Sequence, residues 1–425
     1  MFSTRWSRVL ANAALASLSF AYGLNGSAQP TPPSYQLLFE AKISAGQLLA
    51  DASISLTQPD SLLHELRFRA PAQQYSQFSG DGDIRREDDV LIWLPPPSGG
   101  KLQYRVSISH KRDGGGFDAL ITDDWAIFRG DDVFPAAHIR RAVGSVGRSE
   151  LIVRAPESWS VVTPFASGPK NRYVINNPER IFDRPTGWMI AGKLGVRRDL
   201  IADINVSIAG PVGAGVQRTS MLALLRWTLP YLTRELDEFT NRLSIVSAND
   251  PMWRGGLSAP KSIFIHADRP LLSENATSTL LHEVAHVLMR FPTQPQHDWI
   301  DEGLAEYITL KILRRGGTIS DKRFAATIDK FRDRAKTVNS VITQTADGAI
   351  KAKGVVIFYD LDREIQELTE DRADIFDLVR RLMLENTPVD LARLRELAAE
   401  ISYKGQASDK KLKSLGPNRV PGSDK

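Results

Sequence analysis

The stretch Leu280-Leu281-His282-Glu283-Val284-Ala285-His286-Val287-Leu288 decides how the rest of the chain is read. Leu280, Leu281, Val284, Val287 and Leu288 recur at the three- and four-residue steps of a helix with one apolar side. On such a helix His282 and His286 project from the same face, one turn apart, where two imidazoles can grip one metal ion. Glu283 is next to the first histidine, so its carboxylate can reach water at the metal without being a ligand itself. Ser273 is the expected N-cap, and Phe291-Pro292 closes the run because proline cannot continue a helix. This is the layout of a zinc hydrolase, and it uses two of only seven histidines in the chain.

Two histidines need a third protein ligand if a fourth position is to stay open for water. Downstream, Trp299-Ile300-Asp301-Glu302-Gly303-Leu304-Ala305-Glu306-Tyr307 again has a helical pattern. Glu302 is the expected third ligand. Glu306, one turn further along the same face, is placed to accept a hydrogen bond from the far nitrogen of a ligating histidine and so fix its tautomer. The expected cofactor is one zinc ion per chain.

The 425 residues are 42% hydrophobic and 24% charged, which describes a globular chain large enough for two or three domains. The net charge is +4 and the pI about 9.1, with acidic and basic residues interspersed, so composition offers no nucleic-acid footprint. Residues 1–28 read as a secretory signal. Arg5 and Arg8 precede a mostly apolar run containing Leu15, Leu18 and Phe20, and Gly26-Ser27-Ala28 is a small-residue cleavage site. Asn12, Ser17 and Ser19 interrupt that run, and it is shorter than the roughly 20 apolar residues of a membrane span. No later segment is apolar enough to cross a bilayer. The expectation is an exported protein of a bacterial periplasm, without a transmembrane span once mature. Cysteine is absent, which excludes disulfides, thiolate metal ligands and a cysteine nucleophile.

Taken in order, residues 29–34 form a proline-rich linker, and 35–210 is β-rich. Strands are expected at 35–43, 50–56, 62–69, 90–94, 102–109, 150–153, 159–163 and 204–208, separated by turn residues such as Arg112-Asp113-Gly114-Gly115-Gly116. A sandwich or saddle-shaped sheet follows from that pattern. Near Val216 the period changes: Leu222, Leu225, Leu229, Leu232, Leu236 and Phe239 trace an amphipathic helix with Pro230 as a kink. Strands at 243–246 and 262–265 come next, and His266 reads as structural. Helices are expected at 321–336, 352–368, 374–384 and 391–401, the last capped by Asp390, and 404–425 reads as a disordered tail.

With these residues assembled, the chain resembles the gluzincin metallopeptidases, in particular the glycyl aminopeptidases and the aminopeptidase N group. The resemblance rests on His282-Glu283-x-x-His286, on Asp301-Glu302-Gly303-Leu304-Ala305 and on the order of helix, strands and histidine helix. It implies an α+β fold. A β-rich N-terminal domain would precede a thermolysin-like catalytic lobe at 211–403, helical from about 291. It also supports Glu302 as the third zinc ligand. Fifteen residues separate His286 from Glu302, which implies a shortened loop.

Two departures stand out. Glycyl aminopeptidases carry Gly-Gly-Leu-Glu-His on the edge strand before the histidine helix, and its glutamate holds the substrate's amino group. Here Gly255-Gly256-Leu257 continues as Ser258-Ala259, so that charged anchor is missing. Gly255, Gly256, Leu257 and Ser258 remain the expected peptide-binding edge, because strand addition is carried by main-chain groups. The families also use a tyrosine, within Tyr-x-Lys-Gly, to stabilise the oxyanion. The matching stretch is Lys351-Ala352-Lys353-Gly354, which makes Lys351 a candidate donor, with Tyr307, Tyr359 or His297 as substitutes. The function implied is zinc-dependent hydrolysis of a peptide or protein substrate with Glu283 as general base. A zinc-containing peptide-binding envelope protein and a zinc hydrolase of a non-peptide bond are the alternatives.

Overall fold

A computed structural model describes residues 32–176, 182–343, 345–346 and 348–401. The expected signal segment and tail lie outside these residues.

The N-terminal part is built from three sheets. In the seven-stranded sheet, Ser34–Lys42 is central, pairing in parallel with Val146–Arg154 and antiparallel with Leu49–Thr57. Leu37, Phe39 and Ala41 point inward from it and Gln36 outward, the alternation of a sheet with one face on a core. A four-stranded sheet (Ala137–Arg141, Leu63–Arg69, Val90–Leu94, Asp83–Glu87) contributes Leu63, Leu66, Phe68 and Trp93 to the same core. The third sheet has Trp188–Gly192 paired with Trp125–Arg129 at its centre.

The second part opens on a five-stranded sheet in the order Leu194–Ile201, Ile204–Pro211, Arg242–Ala248, Ser262–His266, Gly256–Ala259. The strand expected at 204–208 belongs to this sheet, because Ile204–Pro211 pairs in parallel with Arg242–Ala248. The central strands Arg242–Ala248 and Ser262–His266 are buried almost throughout, as strands covered on both faces must be. Ile245, Ile263 and Ile265 face the helices. Val246, Ala248 and Phe264 face the N-terminal sheet, meeting Ile127, Trp188 and Ile190. Trp188 packs on Phe264 with ring centroids 5.4 Å apart, and its backbone N–H donates to Ser262 Oγ at 2.7 Å. The two parts share this apolar seam.

Helices cover the other face: Arg218–Thr233, Thr279–Leu288, Asp298–Arg315, Asp321–Ala335, Gly348–Thr369, Ile375–Met383 and Leu391–Ile401. The first ends at Thr233 with Pro230 in its last turn, so Leu236 and Phe239, expected on the same stripe, follow it as non-helical chain. Thr279–Leu288, the histidine helix, is capped by Ser278, whose Oγ accepts from the Leu281 N–H at 3.3 Å. Ser273 is not the cap: it closes a separate turn, accepting from the Thr277 N–H at 3.1 Å. Both serines satisfy the N-cap preference, and the intervening turn decides between them. Asp390 does cap the last helix, accepting from Arg393 N–H at 2.8 Å. No helix among the described residues is long and apolar enough to cross a membrane.

Candidate active site

Three elements converge on one point. The histidine helix is apolar around most of its circumference, with Leu280, Leu281, Val284, Ala285 and Leu288 in the core, and this fixes the direction of its polar stripe. The glutamate helix, Asp298–Arg315, packs beside it and brings Glu302 opposite the histidines. His282 Nε2 lies 3.2 Å from His286 Nε2 and 3.2 Å from Glu302 Oε2, and His286 Nε2 lies 3.4 Å from Glu302 Oε1. Ligands at about 2.05 Å in tetrahedral array are separated by roughly 3.3 Å, the spacing of the two histidine nitrogens, and with one atom from each side chain the three donors lie within 4.8 Å of one another, so this set fits a zinc ion. Among the described residues it is the one group of three or more such side chains close enough to hold a metal.

The remaining histidine nitrogens lie beside carboxylates. His282 Nδ1 is 3.2 Å from Glu306 Oε2, the carboxylate placed there by the helical spacing. His286 Nδ1 is 3.0 Å from Asp301 Oδ2, a proximity the sequence did not lead one to expect. The position of Asp301 next to Glu302 was the available signal, since consecutive helical residues can serve neighbouring histidines. Burial disfavours charge on His286, yet Asp301 and Glu302 outweigh it and hold the imidazole pKa well above its usual range. Burial likewise opposes ionisation of Glu302, but the two histidines hold its carboxyl well below the ordinary range.

Glu283 is 7% exposed, and burial pushes its pKa up against the pull of the histidines and Lys351. The edge strand Gly256–Ala259 runs over it. A β-carbon on Gly256 would fall 2.8 Å from Glu283 Cγ and 2.9 Å from its Oε1, so only glycine lets the strand approach this closely. Among the described residues that strand pairs with Ser262–His266 on one side alone, leaving a free edge beside the site.

Lys351 arrives from the long helix Gly348–Thr369, its Nζ 3.7 Å from Glu302 Oε2 and 4.0 Å from Glu306 Oε2. The two helices touch through glycines: a β-carbon on Gly303 would lie 2.8 Å from Gly354 Cα. Of the substitutes for Lys351, the Tyr307 hydroxyl is spent on buried Asp362, and the Tyr359 ring packs against Tyr307 and Phe324. His297 is buried at the start of the glutamate helix. His266, at the end of its strand, is fully buried with Nδ1 accepting from the Asp268 N–H, a structural histidine as expected.

A cleft of about 940 Å³ opens from His286 and Asp301, bounded by residues 258–261, the end of the histidine helix, and Arg129 and Asp131 of the N-terminal part. At the opposite end of the edge strand an N-terminal hairpin clamps the preceding loop. Phe117 N–H donates to Pro251 O, Trp253 N–H donates to Phe117 O, and the Arg112 guanidinium lies 4.4 Å over the Trp253 ring.

By sequence, the chain matches no protein family and no curated protein. Its three-dimensional structure does find relatives. An aminopeptidase N family protein from Idiomarina loihiensis superposes over 91% of this chain and 74% of its own, with a TM-score of 0.63 and 15% identity. The fold is that of the M1 zinc metallopeptidases. A mutant M1 zinc metallopeptidase from Deinococcus radiodurans, bound to a Tyr-Ser-Ala substrate, matches over 92% of this chain and 95% of its own. The TM-score there is 0.60 at 13% identity. A two-domain M1 zinc metallopeptidase bound to L-tryptophan covers the same shares with a TM-score of 0.60 and 12% identity. The two-part M1 architecture thus extends over nearly the whole described chain, including the β-rich part.

Proposed function

We propose that this protein is an exported zinc-dependent metallopeptidase, with one zinc ion held by His282, His286 and Glu302. The observation that carries the reading is the cluster of His282, His286 and Glu302, whose donor atoms lie within 4.8 Å of one another, with Glu283 on the adjoining helical position and a strand edge alongside. When bound, the zinc ion supplies Lewis acidity, lowering the pKa of water and polarising a carbonyl.

The chain's own residues supply the rest. Glu283 takes a proton from the attacking water and passes it to the leaving nitrogen, its carboxylate held beside the ligand face by the neighbouring position of His282. Hydroxide oxygen bonds to the carbonyl carbon, the C–N bond breaks, and the proton ends on the amine. Glu306 and Asp301 fix both imidazoles so that Nε2 faces the metal. Lys351 donates to the oxyanion as charge develops on the carbonyl oxygen. Main-chain groups of Gly255, Gly256, Leu257 and Ser258 align the peptide as an added strand. The peptide bound by the Deinococcus radiodurans relative supports a peptide substrate. Residues 1–28 support export.

The test is metal content of the purified protein together with hydrolysis of a mixed peptide library. Wild type should carry one zinc and cleave. Glu283→Gln should keep the zinc and lose turnover, while His286→Ala should lose the zinc. Turnover surviving in Glu283→Gln would remove the proposed base, and no zinc in wild type would remove the reading as a whole.

A further inference from the structure

Resting on that reading, we propose that the enzyme cuts within polypeptide chains, with several residues on the amino side of the scissile bond lodged in the 940 Å³ cleft. The direction follows from the free edge. Antiparallel addition is the more stable ladder. A peptide so paired with Gly256–Ala259 runs from the Ala259 end toward Gly256, where Glu283 touches the strand. Residues preceding the cut bond therefore pass Ser258 and continue toward Pro260 and Lys261, and that is where the cleft opens.

The cleft is too large for a chain that begins at the cut. Ligand pockets span roughly 300–1,000 Å³, and this one is near the top of that range, so a single terminal residue would leave most of it to water. Val287, Leu288 and Phe291 close one side and Met383 and Leu384 another, beside the charged side chains of Arg129, Asp131, Lys261 and Arg380. Leu384 is 71% exposed, an apolar side chain that an extended substrate would cover.

A free N-terminus would also need a carboxylate partner along this path, because an ammonium taken from water is costly unless paired. Among the described residues the strand offers Ser258. The nearer carboxylates of the cleft are engaged: Asp301 with His286, and Asp131 with Arg129, Arg184 and the Gly187 N–H. Asp237 and Glu238 are exposed. The geometry provides length on the amino side, and the edge strand itself carries no terminal stop; the carboxylates left to meet an ammonium are Asp237 and Glu238 of the cleft wall.

The experiment uses the zinc-loaded full chain and internally quenched peptides sharing one scissile region. They carry a free amino terminus, an acetylated terminus, or an acetylated terminus extended by one to three apolar residues. Acetylation should leave kcat/KM within about threefold, and apolar extension should raise it about tenfold. Ser258→Glu should shift the ratio at least tenfold in favour of free-amino peptides. If acetylated peptides resist while free ones lose residues singly from the N-terminus, the inference falls and the peptidase reading stands. If neither kind is cut, both fall.

Discussion

Replacing Gly256 by alanine tests the placement of the general base more directly than removing the base does. The added β-carbon would lie 2.7 Å from Thr279 Cγ2, 2.8 Å from Glu283 Cγ and 2.9 Å from Glu283 Oε1. Each contact is short of ordinary van der Waals separation by roughly half an ångström or more. All three atoms belong to side chains, so the fold can yield without unfolding, and overpacking of this kind costs about 1–3 kcal/mol. Glu283 cannot yield freely, because it is 7% exposed and hemmed by its own helix. It must shift by about half an ångström, and since a 1 Å misplacement costs about 10²-fold, kcat should drop about tenfold or more. The assay is steady-state kinetics on a quenched peptide, with zinc measured on the same preparation and melting followed by calorimetry. A stoichiometric zinc content with reduced kcat is the expected outcome. A kcat within twofold of wild type would show that Glu283 is not positioned by this strand.

Further predictions concern the groups around that base. Lys351→Met should lower kcat about 10²-fold with zinc content unchanged, as loss of an oxyanion donor does, and a change under threefold would remove Lys351 from the chemistry. Asp362→Ala should destabilise by about 3–5 kcal/mol, because buried Lys311, 2.5 Å from Asp362, loses its closest carboxylate and Tyr307 its acceptor. Calorimetry reads this as a lower Tm, and a loss below about 1 kcal/mol would refute it. The same network sets an acid limit. Burial raises the Asp374 pKa, but Lys311, the Phe376 N–H and Arg315 outweigh it and hold the pKa below its ordinary value. Its stabilising contribution is therefore full above the unfolded pKa of about 3.9 and is lost as pH falls through the lower folded value. Asp374→Asn should flatten the fall in urea midpoint below about pH 4, and an unchanged slope would count against it.

Local signals carried over into the structure where burial faces one side: Leu391–Ile401 appears with the bounds expected from the sequence, and Ser34–Lys42 within a residue of them. Trp188–Gly192 went unread because all five residues are buried, which erases the alternation that marks a strand. Leu194–Ile201 also went unread: Arg197, Arg198 and Asp199 interrupt it and of its residues Ile201 alone is buried, so its pairing with Ile204–Pro211 is what makes it a strand.

The sequence alone determined the histidine pair, since residues four apart share a helix face whatever surrounds them, and it placed Glu283 beside them by the same arithmetic. Glu302 and Glu306 were legible as a second helical pair, but that they meet the histidines at 3.2 Å is a property of two packed helices. Lys351 lies forty-nine positions beyond Glu302 in the chain, and it reaches the site because Gly303 and Gly354 let their helices touch. The partner of His286, the narrow gap at Gly256 and the cleft beyond Ser258 were decided by tertiary structure alone. Spacing along one helix follows from its own hydrogen bonds, whereas distances between elements are set by what packs between them.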